Sequence, residues 1–152
     1  MGSVLRLTLR PAGMFLVTGT VLVLVGAIGL AALFSWRAIL PGVLTPLILV
    51  WGGGVLLLFS AAHYFVARVS AVQMSVVLAA TTLALVLAGM AFYFASARSM
   101  EAYLNSATPA ADAVVPNIIR SELCGVAALT IFVINVILAF RKRRSVIAVA
   151  AS

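Results

Sequence analysis

The chain has 152 residues, of which 65% are apolar and 9% are charged. Water-soluble domains carry about 25% charged residues, so this composition excludes an ordinary soluble protein and leaves no room for a sizeable soluble domain. The net charge of +7 would suggest nucleic-acid binding in a soluble chain. Here the cations stand beside apolar runs and no basic face or aromatic platform accompanies them, so we expect a multi-pass membrane protein that does not bind nucleic acid.

The first predicted membrane span covers residues 14–36 and contains no charged residue. At about 1.5 Å per residue, a helix of this length crosses the hydrocarbon core of a bilayer. Arg6 and Arg10 precede the span without any acidic residue, a pattern typical of a mitochondrial targeting segment. We interpret them instead as an anchor on the cytoplasmic or matrix side. Gly19 and Gly26 lie one heptad apart on one helix face, where small residues allow a neighbouring helix to approach closely.

The second predicted span, residues 44–66, follows a short turn and contains Gly52, Gly53 and Gly54 in succession. Three consecutive glycines weaken a helix and leave its backbone without side chains that cover it. In a bilayer, a bare backbone requires either a neighbouring helix that covers it or a break in the helix. We favour coverage, and therefore predict that the three glycines contribute to helix packing.

His63, near the end of the second span, is the single histidine of the chain. It could ligate a haem or a metal ion, but the interiors of the predicted spans offer no acidic residue or second histidine as a further ligand. The alternative is an interfacial histidine, one turn from Arg68, that hydrogen-bonds to backbone, water or lipid. We favour this alternative and expect no metal and no cofactor, apart from structural lipids.

The third predicted span, residues 73–96, follows a second short turn. Ala80, Ala84 and Ala88 recur at every fourth position and therefore lie in one row along a helix. A row of small residues is a packing signal in membrane helices, so we predict that these alanines contact another helix.

The longest predicted loop covers residues 97–121 and joins the third span to the fourth. It contains Pro116 and, together with Glu122 at its end, all three acidic residues of the chain. Residues 99–105 of this loop are predicted either as loop or as a helical extension of the third span, and Ser121 is predicted as the cap of the fourth span.

The fourth predicted span, residues 122–140, contains Asn135. An uncharged amide inside a membrane helix usually bonds to another helix, so we predict that Asn135 holds the helices together.

A basic tail, residues 141–152, follows the last span. Seven of the ten Lys and Arg residues fall on the side of the two termini, and three fall on the opposite side. The positive-inside rule therefore predicts that both termini lie inside. We expect these seven residues to contact lipid head groups or to set the topology: Arg6, Arg10, Arg68, Arg141, Lys142, Arg143 and Arg144.

The predicted fold is an all-α integral membrane domain of four helices with two short connections and a longer third one. Its span interiors lack the convergent polar groups that enzymes need and the buried ionisable groups that ion pumps need. We therefore expect a non-catalytic accessory subunit that assembles and stabilises a larger membrane complex through helix packing and lipid contacts. Its expected partners are other membrane subunits and phospholipids, and no soluble substrate is identified.

The expected host is an energy-transducing complex such as those of the respiratory chain. It would lie in a mitochondrial inner membrane, which is slightly favoured, or in a bacterial plasma membrane. The alternative function is a small oligomeric channel or transporter. In that case the glycine run, Asn135 and His63 would face a pore.

Overall fold

The computed structural model describes residues 10–35, 44–70, 72, 74–105 and 111–150. These residues form four α-helices: α1 (Pro11–Ser35), α2 (Leu44–Ser70), α3 (Val76–Asn105) and α4 (Ala111–Ala150). Each helix contains an apolar stretch that is long enough to cross a membrane. The prediction of four apolar helices of spanning length is confirmed, and the chain is a multi-pass membrane protein. Arg6, one of the predicted head-group residues, lies outside the described residues.

The helices extend beyond the predicted spans. Residues 97–105 continue α3, in agreement with the helical extension considered for residues 99–105. Residues 111–121 belong to α4, although the sequence predicts them as loop. Pro116, which favours a helix boundary because it disfavours helical geometry in the residue before it, lies inside α4. A helix that has left the bilayer no longer needs apolar side chains, so hydropathy marks the membrane portion of a helix and not its end. With 40 residues, α4 is about 60 Å long, roughly twice the thickness of the hydrocarbon core.

Successive helices run antiparallel and pack most extensively as two hairpins, α1 with α2 and α3 with α4. Interhelix hydrogen bonds illustrate this pairing. Ser60 Oγ of α2 donates to the Ala12 carbonyl of α1 at 2.8 Å, and Ser121 Oγ of α4 donates to the Gly89 carbonyl of α3 at 2.9 Å. The two hairpins meet chiefly through α2 and α3.

The antiparallel order brings the cations of three helices to one end of the bundle. Arg10 directly precedes α1, Arg68 lies in the last turn of α2, and residues 141–144 lie towards the end of α4. We call this end the basic end. Glu122 lies about 28 Å along α4 from Arg141, at 1.5 Å per residue. This separation is close to the thickness of a hydrocarbon core, about 30 Å. Glu122 and Arg141 therefore lie at the two ends of a segment of α4 that is long enough to cross it.

The buried core is small, and large apolar side chains cover the outside of the bundle. Trp51 is 77% exposed and Val77 is 73% exposed. Lipid tails are as apolar as these side chains, so the hydrophobic effect does not hold membrane helices together and close packing and interhelix hydrogen bonds must do so. The core consists of Phe15, Leu56 and Ala79, with Leu22, Phe59, Leu83 and Val86 packed against them.

Candidate functional site

The backbones of α1 and α2 approach each other closely at three glycines. A Cβ atom added to Gly19 would lie 2.9 Å from the Gly53 carbonyl oxygen, and one added to Gly53 would lie 2.8 Å from the Gly19 carbonyl oxygen. Gly26 meets the start of α2 in the same way, since a Cβ there would lie 2.7 Å from the Pro46 carbonyl oxygen. Backbone atoms cannot rotate away as a side chain can, so only glycine fits at these positions. We call Gly19, Gly26 and Gly53 the glycine seam.

The three consecutive glycines of α2 have three different surroundings, and the helix is continuous through them. Gly53 faces α1, and a Cβ atom on Gly52 would overlap the side chain of Met90 in α3. A Cβ atom on Gly54 would have no neighbouring atom within 4 Å. Successive residues point in different directions because a helix turns by about 100° per residue. Neighbouring helices therefore cover two of the three glycines.

Asn135 of α4 forms hydrogen bonds to Ser75, the residue directly before α3. Its Oδ1 accepts a hydrogen bond from the Ser75 backbone N–H at 2.9 Å, and its Nδ2 donates to the Ser75 carbonyl at 3.1 Å. Ser75 itself caps α3, since its hydroxyl accepts from the Leu78 N–H at 3.4 Å. The amide is 1% exposed and bonds both backbone groups of one residue, an arrangement that fixes the two helices in register.

Asn135→Leu is expected to lower the free energy of unfolding by about 1 kcal/mol, because interhelix hydrogen bonds in membranes contribute about 0.6 kcal/mol on average and up to about 1.7. The matched control is Thr130→Val on the same helix, whose exposed hydroxyl bonds only to the Val126 carbonyl of its own helix. Reversible unfolding of both variants in mixed micelles measures the difference. Equal losses for the two variants would show that the amide contributes nothing specific.

Two serines and a tyrosine make further connections within the α3–α4 hairpin. Ser96 Oγ donates to the Val114 carbonyl at 3.4 Å, and the Tyr93 hydroxyl donates to Glu122 Oε1 at 2.7 Å. Ser121, which the sequence predicts as the cap of the fourth span, lies inside α4 and bonds to α3 instead. Sequence reasoning missed these contacts because a hydroxyl in a membrane helix bonds equally well to its own preceding turn.

His63 is buried among three phenylalanine rings and is 1% exposed. Its ring centroid lies 4.7 Å from that of Phe15 and 5.0 Å from that of Phe132. Phe59 completes the cluster, with ring centroids 5.7 Å from Phe15 and 5.2 Å from Phe132. His63 Nδ1 lies 2.7 Å from the Phe59 carbonyl oxygen and therefore donates to it, whereas Nε2 has no partner among the described residues.

This position differs from the interfacial one that the sequence suggests for His63. The backbone hydrogen bond agrees with that interpretation, but the burial depends on Phe15 of α1 and Phe132 of α4, which are distant in sequence. In the described part of the chain, no three His, Cys, Asp or Glu side chains lie close enough together to hold a metal ion.

A cavity of about 570 Å³ separates the two hairpins towards the end opposite the basic end. Its walls are mostly apolar, and the Tyr93–Glu122 pair lies at its margin. Of the residues that a transport function would place in a pore, Gly52 lines this cavity, whereas His63 and Asn135 do not. The apolar part of the lining includes Trp51, Val55, Val86 and Met90.

The predicted alanine row lies on the outside of α3. Ala84 is exposed within this chain, and Ala80 and Ala88 are half-buried. Ala91 and Ala95 continue the same row and are exposed. We call these five residues the alanine face. Each of its five side chains is a single methyl group.

Two groups of small and polar residues in the described helices differ in what they contact. The glycine seam and the hydrogen bonds of Ser60, Ser96, Ser121 and Asn135 connect helices within the chain. The alanine face is directed away from them. Comparison with known proteins gives no match, either to a protein-family model, to a curated protein or to a solved structure.

Proposed function

We propose that the protein is a non-catalytic accessory subunit that packs into a larger membrane complex and stabilises it. The alanine face of α3 carries this proposal, because Ala84, Ala91 and Ala95 are exposed within the chain. Small residues gain nothing by facing lipid, whereas against a second helix they allow two backbones to approach closely. A partner helix could therefore dock on α3 as α1 docks on α2 at the glycine seam.

The distribution of charge supports a structural role. Among the described side chains, the cations lie near the ends of the apolar stretches, as Arg68, Arg98 and Arg120 do. Enzymes and ion pumps use ionisable groups that converge inside the bundle. The proposed partners are therefore other membrane subunits and phospholipids, and we propose neither a soluble substrate nor a cofactor.

The proposed orientation places both termini on the cytoplasmic or matrix side, because cations favour that side of a membrane and six of the eight Lys and Arg residues in the described part of the chain lie at the basic end. The proposed host is an energy-transducing complex, such as one of the respiratory chain, in a mitochondrial inner membrane or a bacterial plasma membrane. Such assemblies offer many transmembrane helices on which the alanine face could dock.

Purification of the tagged chain from its native membranes in mild detergent tests the accessory role. We expect it to migrate on a native gel in an assembly much larger than the 15.8 kDa chain, together with other membrane proteins. Deletion of the gene should reduce the amount of that assembly. A homo-oligomer that conducts ions or carries solutes in liposomes would overturn this proposal and favour the transport function instead.

A further inference from the structure

A second cavity, of about 530 Å³, lies at the basic end between the first turn of α1 and the last turns of α2. Its lining includes Arg10, His63, Tyr64 and Arg68. Both arginine side chains are exposed, and within the described part of the chain neither has an acidic partner. We call this cavity the basic pocket. Its two guanidinium groups are available for an anionic ligand from outside the chain.

The start of α1 increases the positive potential of the basic pocket. The helix begins at Pro11, and both Pro11 and Ala12 line the cavity. The first N–H groups of a helix generally lack helical acceptors, and the helix dipole places a partial positive charge there. Helix N-termini therefore commonly hold phosphate and other anions.

His63 lines the basic pocket, and one of its ring nitrogens is buried without a partner among the described residues. Because Nδ1 donates to the Phe59 carbonyl at 2.7 Å, the remaining hydrogen-bonding position of the ring is Nε2. Nε2 is buried and has no partner among the described residues, and a buried nitrogen that stays unpaired is costly. It can accept from a ligand hydroxyl when the ring is neutral, or donate to an anionic oxygen when the ring is protonated.

We propose that the basic pocket binds a phosphate group between Arg10 and Arg68, at the N-terminal end of α1, with His63 Nε2 as a further partner of the ligand. The phosphate belongs either to a phospholipid head group or to a free phosphate, since both present the same oxygens to the two arginines. This site requires only that the helices fold as described. It does not depend on the accessory role, so the two proposals can fail separately.

Native mass spectrometry of the full chain, delipidated in detergent, tests the site with three probes: phosphatidylglycerol, diacylglycerol and inorganic phosphate. We expect phosphatidylglycerol to bind and diacylglycerol, which lacks the phosphate, not to bind. The double variant Arg10→Gln/Arg68→Gln should bind phosphatidylglycerol roughly 30-fold more weakly, since each cation near an anionic surface contributes about fivefold. The matched control Arg98→Gln/Arg120→Gln, which removes the same charge from two exposed positions at the opposite end of the bundle, should change binding less than threefold.

The remaining outcomes decide both the source of the phosphate and the proposal itself. If inorganic phosphate binds and phosphatidylglycerol does not, the source is free phosphate and the site stands, provided that the double variant abolishes the binding. The proposed phosphate site would be wrong if the two double variants weakened phosphatidylglycerol binding equally. It would also be wrong if diacylglycerol bound as strongly as phosphatidylglycerol. Circular dichroism verifies that each variant is folded. Should the double variant fail to fold, the single variants Arg68→Gln and Arg98→Gln provide the same comparison.

Discussion

Gly53→Ala is expected to lower the free energy of unfolding by about 2–3 kcal/mol, at the upper end of the losses caused by overpacking. The new methyl group would lie 2.8 Å from the Gly19 carbonyl oxygen and 2.9 Å from the Val23 backbone nitrogen. Neither atom can move without separating α1 from α2. Reversible unfolding in mixed micelles, followed by far-UV circular dichroism, measures the loss.

Gly54→Ala is the matched control, one residue further along the same helix. A Cβ atom there meets no atom within 4 Å, so the packing is unchanged. Because alanine restricts the unfolded chain more than glycine does, this variant should be neutral or more stable by up to about 1 kcal/mol. If Gly53→Ala and Gly54→Ala behave alike, the glycine seam does not hold the α1–α2 hairpin together.

Ala84→Leu is expected to reduce incorporation of the chain into its native assembly by about tenfold, which corresponds to about 1.4 kcal/mol and lies within the range for overpacked contacts. The free energy of unfolding of the isolated Ala84→Leu chain should differ from that of the unmodified chain by less than about 0.5 kcal/mol, because Ala84 is exposed within the chain. The measurement is the fraction of tagged protein that migrates with the assembly on a native gel.

The control for Ala84→Leu is Ala27→Leu, which adds the same side chain at an exposed position of α1. We expect Ala27→Leu to assemble as the unmodified chain does. If Ala84→Leu also assembles normally, the alanine face is directed towards lipid and the packing argument is wrong. If it unfolds the chain, the face belongs to an interior contact and the exposure of Ala84 is misleading.

The four membrane helices could be predicted because the physical requirement is simple. A segment that crosses a bilayer must be apolar over about 20 residues, and charges must lie at its ends. The ends of the helices do not follow from this requirement. Residues 97–105 and 111–121 contain polar residues and Pro116, yet they are helical, because helix formation does not depend on contact with lipid.

The surroundings of individual residues were harder to predict. The sequence shows that Gly52, Gly53 and Gly54 leave the backbone bare, but the angle at which α1 crosses α2 decides which of them is covered. The burial of His63 likewise depends on phenylalanines of two other helices, at positions 15 and 132. Such contacts are set by the pairing of distant segments, which hydropathy and spacing do not encode.

Asn135 shows how far sequence reasoning extends into the packing. The polarity of its amide predicts a partner on another helix, and the structure places that partner on Ser75, which caps α3. Nothing in the sequence distinguishes Ser75 from the other hydroxyl residues as the partner. The kind of interaction could therefore be predicted, whereas the identity of the partner required the structure.

We propose that the alanine face contacts another protein, and site-specific photo-crosslinking in native membranes can detect that contact. Leu87 flanks the alanine face and can be replaced by a residue of similar size whose side chain carries a diazirine. The surface then keeps its shape, and on illumination the diazirine bonds covalently to the molecule next to it. The same side chain in place of Leu24, 56% exposed on α1, serves as the control. We predict that position 87 forms a covalent adduct with a different polypeptide and that position 24 does not. Adducts at position 87 with lipid alone, or only with a second copy of this chain, would show that the alanine face does not contact another subunit.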